Sequence, residues 1–194
     1  MTTTMRGRLI GLYSPVPRCG KSTVARMLVT SGFRKMPIAG PLKCMLKSFL
    51  RDLQLRDYEV RHYLEDEKAA KIPGVGVSCR HLMQTLGTEW GRECIDPDIW
   101  VRMWAEKVED LLSSGFSVVC DDVRFVNEAE RLAGMGGELW FIRRNEPELG
   151  WRHASEGGLN EFPFFDRHIE NSGSIQALES HVRNLLKSPS KVAA

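Results

Sequence analysis

The feature that most constrains this chain lies near its beginning. The segment Arg18-Cys19-Gly20-Lys21-Ser22-Thr23 follows the apolar run R-L-I-G-L-Y of residues 8–13 and opens a stretch, Lys21 to Thr30, whose apolar residues recur at helical spacing. This predicts a strand, a sharp turn carrying a glycine and a lysine, and a helix that starts on the turn itself. In that setting backbone N–H groups converge at a helix amino end, so the segment predicts an anion-binding loop of the kind that cradles phosphates.

Each residue type in the loop suits that chemistry. Gly20 lets the backbone approach the anion, the Lys21 ammonium neutralises its charge, and the Ser22 hydroxyl is a hard oxygen ligand for magnesium. Arg18, Gly20, Lys21, Ser22 and Thr23 are therefore the expected phosphate contacts. The full pattern also has a glycine five residues before Gly20, where this chain has Pro15, with Pro17 two residues further on. Proline has no N–H and a fixed φ, so the amino-terminal half of the loop offers fewer donors. A strand-to-helix turn that happens to read Gly-Lys-Ser is the competing reading, and the rest of the chain weighs against it.

Beyond the loop, strands and helices alternate. An apolar stretch at 33–39 stops at Gly40-Pro41, and Pro41 suits the first turn of a helix to about Leu53. Residues 66–78 are charged and then glycine-rich and read as a mobile connection, with helical signal resuming near Arg80. Asp98 can cap a helix with Val101, Trp104, Val108, Leu111 and Leu112 on one side, ending at Gly115 before the strand F-S-V-V-C. A helix over about 127–135, the strand E-L-W-F-I-R and a helix over 174–186 complete the series. Alternation of this kind predicts a three-layer α/β fold, a central parallel sheet with helices on both faces and ligands at the carboxyl ends of the strands. At 194 residues with 42% hydrophobic content, the expectation is one domain over 1–194.

Other residues place charge near those strand ends. Lys43, at the start of the second helix, can meet a second anion, against the ordinary reading of an exposed lysine. Arg80, Gln84 and Thr88 recur at four-residue spacing, so a helix would put one guanidinium and two hydrogen-bonding groups on one side. Arginine grips phosphate in a bidentate manner and an amide such as Gln84 reads a base edge, although a solvated polar face fits the spacing equally well. Asp121 and Asp122 end the strand F-S-V-V-C beside the predicted loop, where a metal-linked or substrate-orienting carboxylate belongs.

Together, F-R-K-M-P-I-A-G-P-L-K, R-H-L-M-Q-T-L-G-T-E-W-G-R and D-D-V-R-F-V-N-E-A resemble the successive motifs of the bacteriophage deoxynucleoside monophosphate kinases, over residues 8 to about 175. That family is adenylate-kinase-like, with a P-loop. The resemblance implies ATP and Mg2+ as co-substrate and cofactor and a deoxynucleoside monophosphate as acceptor. It implies an acceptor-binding region at about 40–98, where Lys43 and Arg80 hold the acceptor phosphate and Gln84 and Thr88 line its site. Asp122 matches the aspartate of the family's D-V-R-F motif. Whether Asp121 or Asp122 serves magnesium through water, with Ser22, stays open, as does direct contact of either with the acceptor.

The stretch G-W-R-H-A-S-E resembles the lid of such kinases, set within about 144–168. Phosphoryl transfer requires that water be excluded and that charge on the equatorial oxygens be offset. Lys21, Arg124, Arg144 and Arg152 are the candidates for that compensation, with a salt bridge to Glu128 as the ordinary reading of Arg124. His153 takes a structural role, because an ionised phosphate acceptor needs no general base. In I-E-N-S-G-S the resemblance puts a loop beside the adenine; there Asn171 holds the turn, or Ser174 simply caps the last helix.

Composition excludes several alternatives. No run of about 20 apolar residues exists to span a membrane and no secretory core follows the first residues, which predicts a cytoplasmic protein, in the host cytoplasm if of phage origin. A net charge of +2 advertises no face for long nucleic acid. Five cysteines without a C-x-x-C pair suggest neither zinc nor disulfides. Two other functions stay open: a P-loop kinase for another phosphorylated metabolite, such as a phosphomevalonate kinase, and a non-catalytic nucleotide-binding module. The choice of base, to which Trp90 and Trp100 contribute either as pocket or as core, is left open, and so is a homodimer.

Overall fold

A computed structural model describes residues 6–144, 158–159 and 162–188. Two compact units emerge, one of residues 1–37 and 104–194 and one of Ile38–Met103. The first is built on a five-stranded sheet of β1 (Leu9–Tyr13), β2 (Arg34–Lys35), β3 (Val118–Cys120), β4 (Glu138–Arg143) and β5 (Arg167–Glu170). The order is β2-β3-β1-β4-β5, and every pairing is parallel. The central strand is therefore the one that feeds the Gly-Lys-Ser turn. The expected α/β architecture is present.

Side chains alternate across β1 and decide which helices cover which face. Ile10 and Leu12 enter a core with Val24 and Leu28 of α1 (Lys21–Thr30), Trp140 and Ile142 of β4, and Leu178 and Val182 of α7 (Ile175–Lys187). On the opposite face Gly11 leaves room for α6 (Val126–Gly134): a Cβ there would lie 2.4 Å from Leu132 Cδ1. Helices thus cover both faces.

Three helices return to the sheet through one local device. After α1, Gly32 N–H donates to Val29 O and Phe33 N–H to Leu28 O, at 3.0 and 3.1 Å. The same pair of bonds ends α5 (Ile99–Ser113) at Gly115 and Phe116 and ends α6 at Gly136 and Gly137. Each turn needs a left-handed residue, and Gly32, Gly115 and Gly136 supply it with φ of 96°, 82° and 76°.

At the amino end of the sheet, Glu138 is almost fully buried and ties three strands together. Arg8, just before β1, meets its Oε1 at 2.7 Å, the Nε of Arg167 in β5 lies 3.5 Å from Oε2, and the Trp140 indole donates at 3.2 Å. Arg8 also donates to Leu186 O near the end of α7. A buried carboxylate is tolerated where charge and hydrogen bonds both compensate it, as here.

The second unit has its own core of Leu46, Leu50, Val60, Leu64, Ile72 and Cys79. Its helices are α2 (Gly40–Asp52), with Pro41 in the first turn, α3 (Asp57–Arg61) and α4 (Cys79–Gln84). α3 continues as a π-helical turn over His62–Asp66 and α4 as a π-helix over Thr85–Ile95. The wide winding of the latter has a visible cause in Trp100. A Cβ on Gly91 would stand 2.4 Å from Trp100 Cζ2, and the Gly87 carbonyl accepts from Trp100 Nε1 at 2.8 Å and from Arg92 at 3.0 Å. The indole lies on bare backbone, and the carbonyl makes side-chain bonds. α5 begins in this unit and ends in the other.

Candidate functional site

In the sheet unit, β1 ends at Tyr13 and α1 starts at Lys21, so residues 14–20 form the loop. Lys21 folds back to donate from Nζ to the Ser14 carbonyl at 3.2 Å, closing the loop between its two ends. Gly20 is the N-cap of α1 in a left-handed conformation, φ 107°, and no acidic residue occupies the helix's first turn. The positive end of the helix dipole is therefore left for an anion. Lys21 and Thr23 are half-buried and Ser22 is exposed, all within that first turn.

Arg18 also has positive φ, 59°, which is costly for a residue with a side chain. Contacts from the neighbouring strands hold this part of the loop. Arg144 Nη1 donates to the Arg18 carbonyl at 3.3 Å, and Asn171 Nδ2 donates to the Cys19 carbonyl at 2.8 Å. Arg144 directly follows β4, and Asn171 follows β5 with its own N–H on Arg143 O. Three strand ends and one helix start thus meet around the loop. Ser174 caps α7 by accepting from Ala177 N at 3.2 Å, as the helix-entry reading of the 169–174 segment expects.

Parallel register brings the end of β3 to the same edge. Gly11 stands opposite Cys120, so Asp121 and Asp122 continue level with Leu12 and Tyr13. Asp121, whose side chain is 10% exposed, is in an ion pair with Lys35 of β2 at 2.5 Å. Asp122 accepts from Cys120 Sγ at 3.2 Å. Burial, with the Asp122 carboxylate alongside, pushes the Cys120 thiol well above its usual range. Arg124 is exposed, and its backbone N–H and that of Phe125 both donate to the Glu128 carboxylate, at 2.8 and 3.2 Å. Glu128 thus serves the turn that leads into α6.

In the other unit, Lys43 lies in the first turn of α2 and is half-buried. Arg80 and Gln84 belong to α4 and Thr88 to the π-helix that prolongs it; Arg80 is exposed, and Gln84 and Thr88 are half-buried. Trp100 is buried as core, whereas Trp90 is 43% exposed and tilted against it at 6.2 Å. Arg152, His153 and most of the expected lid lie outside the described residues.

Lys35, Ser14 and Glu128 were not singled out as parts of this site by sequence reasoning. A lysine within a two-residue strand carries no spacing signal. Ser14 enters through its carbonyl, which any residue supplies. Glu128 has two cues, its place one helical turn after Arg124 and its place three residues after the helix cap.

Comparison with known families decides what this arrangement belongs to. The family model for deoxynucleotide monophosphate kinase matches residues 62–182. The chain belongs to that family. Among individual deoxynucleotide monophosphate kinases, the one of Escherichia phage RB69 is 33% identical over 111 residues, 57% of this chain and 45% of that protein. The chain thus spans a little under half the length of that relative. A protein of Acanthamoeba polyphaga mimivirus is 26% identical over 183 residues, 89% of this chain and 93% of its own. Dephospho-CoA kinase from Campylobacter jejuni shares the fold with a TM-score of 0.53 at 12% identity, over 93% of this chain and 96% of that one. The deoxynucleotide monophosphate kinase family and the P-loop kinase fold therefore account for both sequence and architecture.

Magnesium, usual for such kinases, fits the donors that the sheet unit offers. Ser22 and Asp122 present hard oxygen ligands at one edge of the sheet, and no cluster of three metal-ligating side chains exists among the described residues. Magnesium commonly takes one or two protein oxygens together with phosphates and water. All five cysteines are free thiols, with Cys44 and Cys94 exposed. Among the described residues no helix is long and apolar enough to cross a membrane.

Proposed function

We propose that the protein transfers the γ-phosphate of ATP to a deoxynucleoside monophosphate, giving a deoxynucleoside diphosphate and ADP. The observation that carries this reading is the family match over 62–182, which takes in both the Arg80–Arg92 motif and the Asp121–Arg124 motif. The Gly20-Lys21-Ser22 turn at an uncapped helix start supports the same reading from the geometry of the loop.

In this reading the loop N–H groups and Lys21 bind the β- and γ-phosphates, and Ser22 holds Mg2+ with Asp122 acting through water. Asp122 is preferred because it matches the aspartate of the family's D-V-R-F motif, and Asp121 is in an ion pair with Lys35. Magnesium held there would offset charge on the phosphates. Lys43 and Arg80 bind the acceptor phosphate, and Gln84 and Thr88 line its nucleoside. Arg124, Arg144 and Arg152 offset charge on the transferred group, and a lid that includes Arg152 keeps water from competing with the acceptor. The unit Ile38–Met103 is then the acceptor-binding part of one kinase domain, at work in the cytoplasm of a host cell.

A coupled ADP-release assay over the four common deoxynucleoside monophosphates, their ribose counterparts and 5-modified pyrimidine nucleotides tests this. ATP- and Mg2+-dependent turnover is expected with at least one deoxynucleotide. No turnover with any of the four would reject the proposal.

A further inference from the structure

Two consecutive peptide units of the phosphate loop are held from outside the loop. Asn171 Nδ2 binds the Cys19 carbonyl at 2.8 Å and Arg144 Nη1 binds the Arg18 carbonyl at 3.3 Å. In a planar trans peptide the carbonyl and the following N–H point in opposite directions. Fixing the Cys19 oxygen therefore also aims the Gly20 N–H, and fixing the Arg18 oxygen aims the Cys19 N–H.

The aim of these donors matters more here than in a loop without prolines. Pro15 and Pro17 have no N–H, and the Val16 N–H is turned to Ser14 Oγ at 3.4 Å. Over residues 15–20 that leaves the N–H groups of Arg18, Cys19 and Gly20 to meet an anion, and two of these three sit on the anchored peptide units. Asn171 is the firmer anchor. Its bond is the shorter, its own N–H is fixed on Arg143 O at 2.7 Å, and its amide lies directly against Gly20, where a Cβ would be 2.4 Å from Nδ2.

We infer that Asn171 is a positioning residue of the phosphate loop: by holding the Cys19 carbonyl it directs the Gly20 N–H toward the phosphates, and so sets affinity for the phosphate chain of the nucleotide donor rather than for its nucleoside. The inference rests on the kinase reading above, and its test separates the two.

Asn171→Leu keeps the side-chain bulk without the donor, and Asn171→Ala removes both. Binding of ATP and of inorganic tripolyphosphate, which has no nucleoside, is measured by calorimetry alongside steady-state kinetics. Both variants are expected to bind ATP and tripolyphosphate about tenfold more weakly, the scale of one lost hydrogen bond in a binding site, with the KM for the acceptor unchanged. Unchanged tripolyphosphate binding in a folded variant overturns the assignment, and loss of ATP affinity alone places Asn171 on the nucleoside instead. If both variants fail to fold, Asn171 is a stability determinant and the assignment falls. Wild-type protein that binds tripolyphosphate but transfers no phosphate rejects the kinase reading alone, and wild-type protein that binds neither ligand rejects both.

Discussion

Asp121 and Asp122 are neighbours in sequence with different surroundings. The first is neutralised by Lys35 at 2.5 Å, and the second accepts a hydrogen bond from the Cys120 thiol at 3.2 Å. The sequence cannot separate them, because the partner that distinguishes them comes from β2. Asp122→Asn is expected to lower kcat roughly 100-fold and to raise the Mg2+ concentration needed for half-maximal rate, the scale of losing one preorganised electrostatic group. Asp121→Asn should cost about 1 kcal/mol of stability or less and alter kcat by less than about fivefold, as for a partly exposed ion pair. Equal losses in the two variants would contradict the division of roles. Thiol chemistry offers a second check at this scale. Burial raises the Cys79 thiol, and burial with Asp122 beside it raises Cys120 further, so neither yields much thiolate near neutral pH. Iodoacetamide at pH 8 should therefore modify Cys44 and Cys94 in native protein, and mass mapping should find Cys79 and Cys120 unmodified until denaturant is added.

Elements whose cause is local could be read from the text, and those whose cause is tertiary could not. α1 spans Lys21–Thr30 and β4 spans Glu138–Arg143 as their apolar spacing predicts, because each carries its own turn glycine and its own buried stripe. β2 is only Arg34–Lys35 within the expected 33–39, limited by what the three-residue β3 pairs with. β5, R-H-I-E, has a single buried residue, Ile169, and exists because β4 offers it an edge. Residues 66–78, expected as a mobile connection, carry a Lys71–Ser78 bridge and the buried Ile72. The site was legible to the same degree: Gly20, Lys21 and Ser22 follow from spacing, whereas the anchoring of Cys19 by Asn171 depends on strand order. The π-helix is the plainest tertiary product, since its winding goes with Trp100 lying on Gly91. Glycine to alanine inside a helix normally stabilises. Gly91→Ala is nevertheless expected to destabilise by about 1–3 kcal/mol through overpacking. Gly134→Ala, at the end of α6 with nothing within 4 Å, should be neutral or stabilising by up to about 1 kcal/mol. Urea unfolding of the two variants tests the contrast, and a stabilised Gly91→Ala protein would show that the Trp100 contact yields easily.

Across the described residues, one group of buried apolar side chains packs on the parallel sheet and another, Leu46, Leu50, Val60, Leu64, Ile72 and Cys79, packs within Ile38–Met103. The sheet unit has a further tie in Glu138, held by Arg8 and Arg167 across three strands, and its central strand is paired on both sides. Among its described residues the helical unit lacks a ladder of that kind, so most of its amides depend on helix bonds. Opening free energies within a protein follow such differences, and segments with few buried contacts open first. Leu50 is fully buried at the centre of the smaller core. Leu50→Ala should cost about 2–5 kcal/mol, the transfer of the lost methyls plus the cavity they leave. Native-state hydrogen exchange is then expected to accelerate over α2, α3 and α4 while β1 and β4 keep their protection, because the cavity weakens a core that those strands do not share. Uniform acceleration over both units would mean that the two cores open as one cooperative body. That outcome would weigh against an acceptor-binding unit that loosens by itself to admit a nucleotide while the phosphate loop stays in place.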